Sequence, residues 1–227
     1  MSTSRPVEIA IDAAQRVSGL LDLPDDARSL YVFAHGAGAG MAHRFMAAAA
    51  AGLARRGVGV LRFNFPAMER GAKRPDPPAL AHAAVRAAVD AAAQWAPGLP
   101  LIAGGKSFGG RMTSQAQAAA PLPGVRGLAF VGFPLHPAGK PATERADHLA
   151  QVALPMLFLQ GTNDELADAG LLRGAVAPLG ARATLVWLEG ADHAFHVPAR
   201  SGRNDTQVHD EMLDAFVAWA DRVATAG

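Results

Sequence analysis

Four short segments of this sequence hold residues able to do covalent chemistry on a carbonyl group. They are H-G-A-G-A-G at 35–40, G-G-K-S-F-G-G at 104–110, G-T-N-D at 161–164 and E-G-A-D-H at 189–193. Within the second, G-K-S-F-G fits the pattern G-x-S-x-G, which needs a sharp strand-to-helix turn with the serine at its tip. Glycines on either side let the backbones pass closely, and Ser107 then sits at a helix N-terminus, where the dipole favours an anion. A serine hydroxyl is a poor nucleophile at its own pKa and needs a base to take its proton. His193 is the candidate base. Asp164 is the candidate group to hold the imidazole in one tautomer and offset its charge. A tetrahedral intermediate needs backbone N–H donors, and Ala37 and Phe108 are placed to supply them.

Other readings of the same residues compete. Glu165 and Asp168 are lesser alternatives to Asp164, and His196 competes with His193. His35 reads as structural, bonding the glycine loop, and His43, His82, His136, His148 and His209 are scattered. Asp192-His193-x-x-His196 has no further ligand at a recognised spacing, so no metal is expected. A phosphate loop ending in G-K-S would need glycine where Pro100 stands. A dinucleotide fingerprint starting at Gly36 would need glycine where Met41 stands. No cofactor is expected. The chain has no cysteine, which excludes a disulfide, a thiolate metal site and a cysteine nucleophile.

The elements that must position these residues alternate. Val7–Ile11 and Val17–Leu21 read as an opening hairpin. Strands are expected at Leu30–Ala34, Val58–Phe63, Pro100–Ala103, Gly127–Val131, Pro155–Gln160 and Thr184–Leu188. Helices are expected at Met41–Arg56, Ala79–Trp95, Arg111–Ala120, Glu165–Leu179 and Asp205–Ala224. Residues 64–78, with four prolines, read as a loop. Strands that are apolar throughout call for an α/β fold: a mostly parallel central sheet with helices on both faces. Each chemical segment follows a strand, at the carboxyl end where such sheets collect ligands.

The 227 residues fit a single domain spanning 1–227. A net charge of +1 gives no reason to expect nucleic acid or a membrane surface as a partner. No secretory leader and no apolar run of membrane-spanning length is visible, so a cytoplasmic protein is expected. Nothing in the sequence sets the oligomeric state.

Taken together, H-G-A-G-A-G, R-F-N-F-P (62–66), M-E-R-G (68–71), G-G-K-S-F-G-G-R (104–111), L-Q-G-T-N-D (159–164) and D-H-A-F (192–195) resemble the α/β-hydrolase superfamily over nearly the whole chain. Within it they are similar to short hydrolases related to a subunit of the non-specific lethal chromatin complex, and more distantly to dienelactone hydrolases. The resemblance implies a compact α/β-hydrolase fold with little or no cap domain. It places Ser107, Asp164 and His193 in a catalytic triad, in the chain order expected for the fold, with Ala37 and Phe108 as the oxyanion hole. Dienelactone hydrolases use a cysteine nucleophile, and serine stands here, so lactone specificity does not carry over.

The expected reaction is acyl transfer to water by a serine hydrolase, with a small-molecule ester as substrate and an acyl-enzyme on Ser107. Phe65, Met68, Phe133 and Phe195 are candidate walls of the acyl pocket. Arg111, in the first turn after the nucleophile, is a candidate for holding a substrate carboxylate or for a buried ion pair. Arg70, Lys73 and Arg74 read as a solvated basic loop. A thioesterase or peptidase would use the same triad. A non-catalytic interaction protein on the same scaffold is the competing class.

Overall fold

The computed structural model describes residues 4–225. Its sheet begins with the expected hairpin, β1 (Arg5–Ala10) and β2 (Arg16–Asp22), paired antiparallel. Six strands follow: β3 (Ser29–Ala34), β4 (Val58–Phe63), β5 (Leu101–Lys106), β6 (Val125–Val131), β7 (Met156–Gly161) and β8 (Ala183–Leu188). They form one sheet in the order β1-β2-β4-β3-β5-β6-β7-β8, parallel from β4 to β8. The register aligns Ala34 with Gly105, Lys106 with Val131 and Gly161 with Leu188. The carboxyl ends that carry the chemical segments therefore lie side by side.

Side chains alternate between two cores, as a pleated strand requires. Val32 and Ala34 of β3 face the core shared with helices α3 (Pro78–Trp95), α4 (Phe108–Ala119) and α5 (Ala169–Val176). Tyr31 and Phe33 face the opposite core, built with α1 (Arg44–Ala54) and α6 (Asp205–Thr225). Both faces are apolar because both are covered. A short helix, α2 (Pro66–Glu69), interrupts the expected loop at 64–78, with Pro66 at its first position, where a missing N–H costs nothing. No large cap stands over the sheet among the described residues. None of their helices is long and apolar enough to cross a membrane.

Three boundaries differ from the sequence expectation for local reasons. Helix α1 starts at Arg44 rather than Met41, because the Met41 N–H is taken by Asn64 Oδ1 at 2.9 Å and His43 caps the helix. Helix α5 starts at Ala169 rather than Glu165, because Asp168 is its N-cap. Its C-terminal turn passes into a 3-10 segment, Ala177–Arg182, where Gly180 adopts φ 59°. β5 runs on to Lys106 and α4 begins at Phe108, leaving Ser107 alone at the turn.

Candidate active site

Ser107 links β5 to α4 with φ 50° and ψ −116°, one of two non-glycine residues with positive φ among those described. Such a conformation costs energy for any residue with a Cβ and persists only where the surroundings enforce it. The flanking glycines explain how. A Cβ at Gly105 would lie 2.5 Å from the Ala34 carbonyl oxygen, and one at Gly109 would lie 2.5 Å from the same atom and 2.6 Å from that of His35. Only bare backbone lets the elbow press against the end of β3. Gly109→Ala is expected to lower stability by about 3 kcal/mol through this overlap, read as a fall in melting temperature.

From the elbow a hydrogen-bonded chain runs across the carboxyl ends of the sheet. Ser107 Oγ is 2.9 Å from His193 Nε2, and His193 Nδ1 is 2.8 Å from Asp164 Oδ2. Asp164 is buried in the turn after β7, and His193 is partly exposed in the loop after β8. The same Oδ2 accepts a bond from Gln160 Nε2 at 2.5 Å, while Oδ1 accepts the Leu166 N–H at 2.8 Å. Three donors on its two oxygens fix the carboxylate plane and through it the imidazole.

The other candidates for these roles lie elsewhere. Glu165 is exposed. Asp168 accepts the Leu171 N–H at 2.9 Å as a helix cap. His196 pairs with Asp205 at 3.0 Å on the surface, and that carboxylate raises its pKa.

His35 organises the glycine loop, as its sequence position suggests. Its Nε2 accepts the Phe65 N–H at 3.0 Å, so Nδ1 carries the hydrogen that reaches the Gly36 carbonyl at 2.7 Å. Burial lowers its pKa and keeps the ring neutral. Among the described residues no protein acceptor takes the Ala37 or Phe108 N–H. A solvent-open cleft lies beside this loop, lined by Ala37, Phe65, Met68, Lys73, Arg74 and Phe108 among others. Arg70 is engaged with Asp76 at 3.0 Å. Lys73 and Arg74 make no ion pair among the described residues.

A family model described as an α/β-hydrolase domain matches residues 27–221. The chain belongs to that family. Its fold is similar to a dienelactone hydrolase from Anabaena variabilis, with a TM-score of 0.76 at 21% identity over 96% of this chain and 98% of the other. It is also similar to an α/β serine hydrolase without a lid from Xanthomonas campestris, with a TM-score of 0.73 at 21% identity over 96% of each chain. An esterase domain from a Rhodothermus marinus protein gives a TM-score of 0.74 at 17% identity, covering 97% of this chain and 98% of the other.

In this α/β-hydrolase the sequence-predicted residues divide. Ser107, Asp164 and His193 come together. Phe65, Met68, Ala37 and Phe108 border one cleft. Phe133 and Phe195, expected as pocket walls, stand apart from it. Phe133 is fully buried against Phe130 and Phe158, with ring centroids 5.4 Å and 5.8 Å away. Phe195 lies in the opposite core and stacks on Phe45 at 5.6 Å.

Arg111 forms no ion pair among the described residues. Its guanidinium lies 6.0 Å from the Phe108 ring, and its Nε is buried without a partner. Burial lowers its pKa, and the positive charge of Arg145 lowers it further. Two site residues escaped the sequence reading, Gln160 and Lys106. Both are polar residues near the carboxyl end of an apolar strand, and that misplaced polarity is the one signal the sequence holds for them.

Proposed function

We propose that this protein is a serine carboxylesterase acting on small esters through an acyl-enzyme at Ser107. The observation that carries the reading is the continuous chain Ser107 Oγ–His193 Nε2–Asp164 Oδ2, with both links within hydrogen-bond distance. Ser107 Oγ attacks the ester carbonyl as its proton passes to His193 Nε2. The amides of Ala37 and Phe108, free of protein acceptors, receive the oxyanion. His193 then gives the proton to the leaving alkoxide, which departs as the alcohol. Water, deprotonated by the same imidazole, attacks the acyl-enzyme and releases the acid. Asp164 holds Nδ1–H and stabilises the imidazolium. Phe65 and Met68 border the space for the substrate.

Labelling with a fluorophosphonate, followed by peptide mapping, tests this directly. An adduct on Ser107 that is absent from heat-unfolded protein is the expected outcome. No adduct on Ser107 would leave only a binding role for the scaffold. A panel of ester, thioester, lactone and amide substrates then separates the carboxylesterase from a thioesterase or peptidase with the same triad.

Arg111 fits a role in substrate selection. A half-buried guanidinium with no carboxylate partner, beside a second arginine, is electrostatically unfavourable until an anion arrives. Removing it is expected to cost selectively on acidic esters. Arg111→Ala should lower kcat/KM for a dicarboxylic half-ester by roughly tenfold or more and leave the neutral analogue within about twofold. Equal losses on both esters would remove Arg111 from substrate recognition.

A further inference from the structure

Lys106 immediately precedes Ser107 and takes no part in the steps above. Its Nζ donates a hydrogen bond to the main-chain carbonyl of His193 at 2.6 Å, across 87 positions of sequence. The same nitrogen lies 5.8 Å from the Phe45 ring centroid and 5.2 Å from that of Phe195. A cation over aromatic faces is attracted by their negative quadrupole surfaces. Room for the ammonium comes from Gly132, at φ 68° after β6. A Cβ there would approach Nζ to 3.0 Å and His193 Cε1 to 3.4 Å. A glycine therefore keeps lysine and imidazole side by side. The phenylalanine expected in the substrate pocket serves instead as part of this cradle.

The charged groups around Lys106 are few. Asp164, after β7, and Asp192, after β8, exert the attractive fields on it. Asp192 Oδ1 is itself held by the Ala194 and His196 N–H groups at 2.8 Å and 2.9 Å. His193 is the titratable group bonded to it through its carbonyl, Phe45 comes from α1, Gly132 follows β6, and His209 of α6 packs edge-on to the Phe45 ring at 5.8 Å. When His193 takes the serine proton, two carboxylates face two cations and the cluster is neutral.

We propose that Lys106 is a positioning residue: its ammonium ties the backbone of His193 to the strand that carries Ser107 and so holds the imidazole within reach of the serine hydroxyl. This rests on the roles of Ser107 and His193 given under the proposed function. Burial pulls the Lys106 ammonium down to about 8, so pH alone titrates the anchor. The group is charged below that pH and neutral above it, so activity should be present on the acid side of this value and fall on the alkaline side.

The test is the pH profile of kcat/KM for a small activated ester, from about pH 5 to about pH 9.5, in the wild type, Lys106→Met and Lys106→Arg. Melting curves at each pH confirm that the protein stays folded. The wild type is expected to lose activity above about pH 8, roughly tenfold by the end of the range. Lys106→Met should fall roughly 10- to 100-fold in kcat and lose the alkaline limb. Lys106→Arg, which keeps the charge, should recover most of the rate and lose the alkaline limb. A wild-type profile flat to about pH 9.5 in folded protein overturns the proposal, as does a folded Lys106→Met whose kcat stays within about twofold of the wild type. If Lys106→Met does not fold, the wild-type profile decides. Failure of the fluorophosphonate to label wild-type Ser107 overturns the hydrolase reading and this inference together. Labelling with a flat profile overturns the role of Lys106 alone.

Discussion

Replacing Ser107 by alanine is expected to lower kcat for a small activated ester by roughly 10⁶-fold, with the melting temperature within about 2 °C of the wild type. The reasoning is that Oγ makes one hydrogen bond, to His193 at 2.9 Å, and nothing else in the fold depends on it. Alanine has the same Cβ and bears the same cost at φ 50°, so the elbow is neither relieved nor worsened. The amides of Ala37 and Phe108 remain, and their polarising effect sets the residual rate, which in such sites stays above that in water. The measurement is steady-state hydrolysis paired with calorimetry. Retention of more than about one hundredth of the rate in a folded variant would sink the assignment of Ser107 as the nucleophile.

The second large effect is expected at Asp164. Asp164→Asn should lower kcat by roughly 10⁴-fold. In the wild type, Oδ2 accepts from both His193 Nδ1 and Gln160 Nε2, and Oδ1 accepts from the Leu166 N–H. An asparagine offers one oxygen and one amino group to three donors. With the amino group toward His193, Nδ1 must become the acceptor, Nε2 then holds the hydrogen, and the ring has no lone pair for the serine proton. With the amide turned over, the amino group meets the Leu166 N–H instead. Either way one contact is repulsive, so a stability loss of about 1–3 kcal/mol accompanies the loss of rate. A rate within about tenfold of the wild type would show that another carboxylate orients His193.

How much of this was legible in the sequence depended on whether the controlling contact was local. The elbow was legible because its requirements, a strand, glycines on both sides and a following helix, fall within a few residues. The last two strands were legible as apolar runs, and so were the turns that place Asp164 and His193. Helix α5 was drawn too long, since Asp164 and Asp168 spend their carboxylates on local N–H groups and hold residues 164–168 in turns. Lys106 and Gln160 were missed because their partners are remote. Lys106 bonds a carbonyl that any residue at 193 would supply, so no side-chain pattern announces it. Gln160 bridges the Phe133 N–H at 2.8 Å to Asp164, a link that exists only once β6 and β7 are paired. Phe195 was placed at the right loop and on the wrong side of the sheet, since nothing in D-H-A-F reveals its φ of 65°.

β8 pairs with β7 alone, and all but its last residue are only partly buried. An outermost strand, paired on one side only, opens by smaller fluctuations than those that melt the whole domain. His193 is tethered five residues beyond its end, whereas Ser107 springs from the interior of the sheet. The two halves of the proton-transfer pair thus belong to regions of unequal local stability. On warming, hydrolysis is expected to fail at this margin first, while most amide protons are still protected from exchange, which hydrogen exchange read beside the rate of hydrolysis checks. The working temperature of such a protein is then expected to follow its rim, and stiffening residues 183–193 to raise it.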